Sequence, residues 1–265
     1  MLKFKKSLGQ NFLNDNNILK KIVGLDTIKN SEVLEIGPGI GNLTVFIEKE
    51  KPKSMLLIEK DKRFYNELKE KFKSKKNYKI LNQDILTFNL NNFEKKNVIV
   101  FGNLPYNIST QILANFIKID SWPPFYKKMI FMFQKEVANR ILAKTNTKNY
   151  GRISVLTNLK LDVLGSFEIS KNSFFPRPKV DSKLVVFAPK KNLKYKILNI
   201  KNLEKITNIF FSNRRKMINK PLSKLFDNHE KIAKFLDLNI NKRPSELTCE
   251  NYYKLTEIYE NNLKY

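Results

Sequence analysis

The chain is poor in the residues that most often do covalent or metal chemistry, with one cysteine, one histidine and one tryptophan in 265 residues. The lone Cys249 excludes an intrachain disulfide framework and a multi-cysteine metal site, and no metal is expected. The only histidine, His229, falls in a polar helical stretch, so neither a Ser–His pair nor a histidine-rich metal centre has the residues it needs. Acids are also scarce, with 25 Asp and Glu against 50 Lys and Arg, a formal charge of +25 and a pI near 9.9. A surface that basic attracts a polyanion, nucleic acid first and an acidic membrane second. An AT-rich genome would account for the many lysines and asparagines but not for the shortage of glutamate, whose codons are equally A-rich. No apolar run approaches the ~18 residues of a membrane-spanning helix, and Met1–Lys6 has no apolar signal core behind it. A cytoplasmic protein without membrane attachment is expected. What the chain does have is 42% apolar residues, enough for a real core.

Apolar periodicity divides the chain in two. Ile18, Leu19, Ile22, Val23 and Leu25 have helical spacing, with Asp15 as cap. Strand-like Val33–Ile36, Ser54–Ile58, Tyr78–Leu81, Asn97–Phe101 and Lys128–Phe133 then alternate with amphipathic helical stretches. These helices begin near Asn42, run through Phe64, Leu68 and Phe72, span Ser109–Ile117, and pass through Val137 and Ile141. That βαβα rhythm predicts an α/β fold with a mostly parallel sheet covered by helices. Ile153–Leu164, Gly165–Ile169 and Lys183–Phe187 read as strands with short connections, so the sheet is expected to end in an antiparallel hairpin. After the polar Pro189-Lys190-Lys191 stretch, the pattern is helical from about Leu203 onward. The expected organisation is a Rossmann-like domain over 1–189 and a small helical domain over 190–265. Residues 190–265 carry 17 basic and 8 acidic side chains, so both domains share the positive charge.

Chemistry-bearing residues sit at the predicted strand ends. Val33-Leu34-Glu35-Ile36 runs into Gly37-Pro38-Gly39-Ile40-Gly41 and then a helix, an arrangement that lets a ligand approach the backbone closely. Glu59 ends the next strand, 22 residues after Gly37, where a carboxylate can accept from both ribose hydroxyls. These two features fit a dinucleotide or S-adenosylmethionine alike. Gly-x-Gly-x-Gly with Asn42 in the last place weakens the pyrophosphate reading, and Asp84 at the third strand end can bind an adenine amino group or merely cap the turn before Ile85. Three acids at successive ends (Glu35, Glu59, Asp84) suit an adenosyl sulfonium better than an anionic pyrophosphate, which favours S-adenosylmethionine. The fourth strand runs into Asn103-Leu104-Pro105-Tyr106. Methyl transfer to an exocyclic amine needs its delocalised lone pair drawn onto nitrogen. The Asn103 side-chain oxygen and Leu104 carbonyl can each accept an amine hydrogen, Pro105 turns the chain, and Tyr106 can stack on an extruded base.

With these motifs the chain resembles the small-subunit ribosomal RNA adenine dimethyltransferases, relatives of the erythromycin-resistance rRNA methyltransferases and the mitochondrial transcription factor B proteins. The resemblance covers nearly the whole chain: Gly9–Asp15, Glu35–Gly39, Asn103–Thr110, Gln134–Val137, Tyr150–Arg152 and Phe174–Ser182. It implies a class I S-adenosylmethionine-dependent methyltransferase in which Asn11 and Leu13 close over the cofactor, Gly37 contacts its methionine part, Glu59 the ribose and Asp84 the adenine. Asn103 would border both cofactor and target amine. Phe174, which the residues alone leave open between core and stacking, would form the second face of a clamp with Tyr106. Phe211–Lys216 and Lys242–Leu247 resemble the helical domain of the small-subunit enzymes more than that of the resistance enzymes. Arg214, Arg215 and Lys216, covering most of a helical turn, are expected to include at least one phosphate contact. The implied reaction is dimethylation of two adjacent adenosines near the 3′ end of small-subunit rRNA, within an immature subunit, by a monomer. A large-subunit enzyme conferring macrolide resistance and a non-enzymatic assembly factor are the alternatives.

Overall fold

The computed structural model describes residues 11–262, so Gly9, Gln10 and Met1–Lys6 lie outside the described residues. The described chain forms two compact units, one of residues up to Ala138 with Asp162–Pro189, the other of Asn139–Leu161 with the chain from Lys190 on. Continuity of the first unit through residue 189 is therefore corrected: the segment 139–161 has its contacts with the helical unit.

The first unit is built on a seven-stranded sheet of β2 (Glu32–Ile36), β3 (Ser54–Glu59), β4 (Tyr78–Asn82), β5 (Val98–Asn103), β6 (Tyr126–Gln134), β7 (Leu161–Ile169) and β9 (Ser182–Pro189), in the spatial order β4-β3-β2-β5-β6-β9-β7. The pairs among β2 to β6 are parallel, and β9 lies antiparallel on β6. Val98-Ile99-Val100-Phe101 is apolar throughout because β5 is central and covered on both faces. The crossover helices are α2 (Asn42–Lys49), α3 (Lys62–Lys71) and α4 (Ser109–Ile117), and α5 (Lys135–Ile141) follows β6. Helix α1 (Asn16–Val23) starts where the Asp15 carboxylate accepts from the N–H groups of Asn17 (2.9 Å) and Ile18 (3.2 Å), as a cap should, and buries Leu19, Ile22 and Val23. Strand order reverses between β2 and β5, which opens a crevice at their carboxyl ends. Two short strands outside the sheet, β1 (Phe12–Leu13) and β8 (Phe174–Phe175), pair with each other antiparallel.

One sequence expectation fails here. Ile153–Lys160, expected as strand, lies within helix α6 (Arg152–Lys160), and β7 runs unbroken through Gly165. Ile153, Val155, Thr157 and Leu159 mimic the alternation of a strand. The helix also buries Ser154, Val155, Leu156, Thr157 and Leu159, leaving no polar stripe to reveal a helical period. Its start is fixed by Ser154, whose hydroxyl accepts from the Gly151 N–H (3.1 Å) and donates to the Arg140 carbonyl (2.6 Å).

In the second unit α6 packs with α7 (Ile200–Phe211), α8 (Asn219–Ser223), α9 (His229–Phe235) and α10 (Cys249–Asn262) around Val155, Leu203, Phe210, Tyr252 and Leu255. The buried Glu260 carboxylate organises the entry to α7 by accepting from the N–H groups of Leu198 (2.7 Å) and Asn199 (2.9 Å) and from the Asn202 amide (3.0 Å). Tyr253 donates to the Val155 carbonyl at 2.8 Å, joining α10 to α6.

Candidate active site

A cavity of about 220 Å³ lies along the carboxyl ends of β2, β3, β4 and β5. Asn11, Leu13, Gly37, Glu59, Asp84, Asn103, Leu104, Pro105 and Tyr106, nine residues singled out from the sequence, all line it.

The floor is the turn after β2. Gly37 and Gly39 have φ of +63° and +57°, left-handed values that a side chain disfavours. A Cβ on Gly37 would meet no protein atom within 4 Å, so the turn leaves open room on the cavity wall. A Cβ on Gly39 would stand 2.4 Å from the Phe12 ring, which meets Phe64 edge-to-face at a centroid separation of 5.4 Å. Glu59 braces the turn: one carboxylate oxygen accepts from the Gly39 N–H (2.9 Å), the other from the Asp61 N–H (2.7 Å). Burial raises the pKa of Glu59, against the pull of those two N–H groups.

Asp84 stands on the cavity wall, and of its two sequence readings the structure shows the turn cap. It caps its own turn, accepting from the Leu86 N–H (2.9 Å), and its second oxygen pairs with Lys60 (2.7 Å) on the cavity wall. Burial alone would raise its pKa, but Lys60 and the Leu86 N–H outweigh that and hold it below the usual carboxylate value.

Glu35 is 2% exposed, lines the cavity, and has one carboxylate oxygen with no hydrogen-bond partner. Burial, reinforced by the charge of Glu59, pushes its pKa up to about 8. The folded chain therefore holds a proton there that the unfolded chain releases above its ordinary value of 4.5. The stabilisation is full below that value and is lost as pH rises towards 8. Glu35→Gln cannot titrate, so its stability relative to the native chain should climb between pH 5 and 8.5, by on the order of a few kcal/mol. Denaturant melts of the ligand-free protein at the two pH values check this, and a pH-independent difference would refute it.

Two amides fix the wall made by residues 11–13. Asn103 donates from Nδ2 to the Asn11 carbonyl (2.8 Å), and Asn42 from Nδ2 to the Leu13 carbonyl (2.8 Å). The first bond sets the Asn103 amide with its oxygen on the opposite side, available to accept. A Cβ on Gly102 would lie 2.5 Å from Leu104 Cδ2, so glycine there leaves room for the buried Leu104 side chain to fold back. The turn closes with the Ile108 N–H donating to the Pro105 carbonyl (3.1 Å). It carries Tyr106 to the rim, its hydroxyl 2.7 Å from that of Ser182 at the start of β9. Burial raises the Tyr106 pKa, so the ring is a neutral platform.

Three expectations need correction. Phe174 is 4% exposed, pairs with Leu13 and packs in the core cluster with Leu13 and Ile169, and it does not line the cavity. Arg214, Arg215 and Lys216 lie in the turn beyond α7, not on a helical turn. Of the three, Arg214 is half-buried and donates to the Thr147 carbonyl (3.0 Å), which leaves Arg215 and Lys216 exposed. Phe12, Asn42, Lys60 and Ser182 also shape the site; Phe12 and Ser182 lie inside the motifs Gly9–Asp15 and Phe174–Ser182 and Asn42 breaks the glycine pattern, whereas Lys60 leaves no signal in the sequence.

Acids at successive strand ends, an orphaned carboxylate oxygen and an open glycine cradle fit a cationic nucleoside, and with this fold they define a Rossmann-like S-adenosylmethionine-dependent methyltransferase. The family model for ribosomal RNA adenine dimethylase matches residues 1–261, and the chain belongs to that family. It is 49% identical over 259 residues to the ribosomal RNA small subunit methyltransferase A of Pelagibacter ubique (strain HTCC1062), covering 98% of each chain. With the protein of the same name from Mycoplasmopsis synoviae (strain 53) it shares 42% over 248 residues, 92% of each. Among solved structures, a dimethyladenosine transferase from Plasmodium falciparum matches with a TM-score of 0.74 at 28% identity, over 96% of this chain and 98% of the other. The chain is thus an rRNA adenine dimethyltransferase dependent on S-adenosylmethionine.

Proposed function

We propose that the chain dimethylates the exocyclic amines of two adjacent adenosines in the 3′-terminal hairpin loop of small-subunit rRNA, acting as a cytoplasmic monomer on an immature subunit. The observation that carries the chemistry is the Asn103 amide, oriented by its 2.8 Å bond to the Asn11 carbonyl. The choice of subunit is supported by the name that the 49%-identical relative carries. Gly37, Glu59, Asp84, Asn11, Leu13 and Asn103 hold the cofactor, which when bound supplies an electrophilic methyl group on sulfur. Asn103 Oδ1 and the Leu104 carbonyl accept the two amine hydrogens, which localises the nitrogen lone pair toward the methyl. Pro105 fixes the turn, and Tyr106 offsets part of the few kcal/mol needed to unstack the adenine. For the second methylation one acceptor suffices, because one hydrogen remains. Arg215 and Lys216 are the residues of the helical unit offered to phosphate.

Mass spectrometry of small-subunit rRNA tests the reading. Dimethyladenosine should be missing near the 3′ end in a strain without this gene, and the purified protein with S-adenosylmethionine should restore it on immature subunits. Adenosines already dimethylated in that strain would overturn the assigned target and bring large-subunit rRNA forward.

A further inference from the structure

The loop joining β8 to β9 is held at both edges of the cavity mouth. At one end Phe175 pairs directly opposite Phe12, whose ring covers the glycine turn. At the other, Ser182 meets the Tyr106 hydroxyl at 2.7 Å. Directly opposed residues of an antiparallel pair share a face. Leu13 and Phe174 therefore take the core face, as their burial shows, while Phe12 and Phe175 take the other. Phe12 on that second face lines the cavity, and Phe175 beside it is 58% exposed. Between the anchored ends Arg177 and Lys179 are exposed and Pro178 is buried. The loop's one acid is turned to structure: Asp181 accepts from the Lys171 N–H with its side chain (3.0 Å) and from the Lys135 N–H with its carbonyl (2.9 Å). A fixed loop thus presents an aromatic face and two cations beside the aperture through which an adenine must enter.

We propose that Phe175 is the stacking platform for the base adjoining the target adenosine, with Arg177 and Lys179 binding the phosphates of the strand that feeds the pocket. This rests on the rRNA substrate proposed above. An exposed ring flanked by cations is the combination that single-stranded nucleic acid recognises without regard to sequence, stacking on the ring and neutralising charge alongside. The ring holds the neighbour while Tyr106 takes the target, so the strand is bent sharply between them.

The test is a double-mutant cycle across protein and RNA. Small subunits are assembled with an rRNA whose ligated synthetic 3′ segment carries an abasic site immediately before or after the target. Phe175→Ala should raise the KM for intact subunits by about 5- to 100-fold, as loss of one base–aromatic stack does, with the loss in KM rather than kcat. One of the two abasic substrates should impose a similar loss on the native protein, and the two changes together should be no worse than either alone. Phe175→Trp should retain the native KM, and calorimetry should find S-adenosylmethionine binding unchanged by Phe175→Ala. Multiplying losses, no effect of Phe175→Ala, or a parallel loss of cofactor affinity each overturn the proposal; the last would make Phe175 a support for Phe12. If the native protein fails to methylate intact subunits, the substrate reading itself has failed and takes this proposal with it.

Discussion

Asn103→Ala should reduce methyl transfer by about 10³-fold or more while cofactor binding survives in weakened form. The magnitude follows from what removal of one preorganised hydrogen-bonding group typically costs, about 10² to 10³ in rate. A second loss adds to it, because the same side chain holds the Asn11 carbonyl at 2.8 Å and with it one wall of the cavity. Asn103→Asp separates the two roles. It keeps an acceptor for the amine but loses the donor to Asn11 and sets a charge against that carbonyl, so it should retain more cofactor-independent order at the amine than alanine and bind cofactor less well than the native chain. Single-turnover methylation and calorimetric cofactor binding on the purified variants make the measurement. Native activity in Asn103→Ala would refute the amine-acceptor mechanism.

Gly39→Val should cost cofactor affinity about 100-fold or more without unfolding the chain. The backbone at φ +57° already penalises a side chain by about 1 to 2 kcal/mol, more for a β-branched one. The first added carbon would stand 2.4 Å from the Phe12 ring, which is itself packed edge-to-face against the buried Phe64. Either Phe12 leaves, opening the cavity, or the turn does, withdrawing the Gly39 N–H from Glu59. Gly39→Ala combined with Phe12→Ala should lose less stability than the two single losses added, since the second change vacates the space the first invades. Thermal melts and calorimetric titration of the four proteins test the coupling, and strict additivity would place the damage elsewhere.

Much of this was legible from the residues because the fold's logic is local at the strand ends. Glu35, Glu59, Asp84 and Asn103 each close an apolar run, and a parallel sheet brings successive carboxyl ends to one edge whatever the details of its packing. What was not legible depended on pairing across long sequence separations. Phe174 and Phe175 are adjacent and chemically identical, and only the register with Leu13 and Phe12 decides which one faces the core. Helix α6 escaped because a helix buried on nearly all sides shows no periodicity. Nor does the local pattern show that Arg214 spends one N–H on the distant Thr147 carbonyl.

The wall formed by residues 11–13 has a consequence for truncated chains. It precedes all of its partners in the sequence, which are Asn42, Asn103, and the Ser173–Phe175 segment that pairs with its other edge. The glycine turn and all three acids can be supplied by a chain that stops after Asp84. The enclosure cannot, because its outer strand is supplied only when residue 175 of 265 has been made. A chain that ends before residue 174 therefore lacks the strand that pairs with Phe12 and Leu13 and closes that side of the pocket.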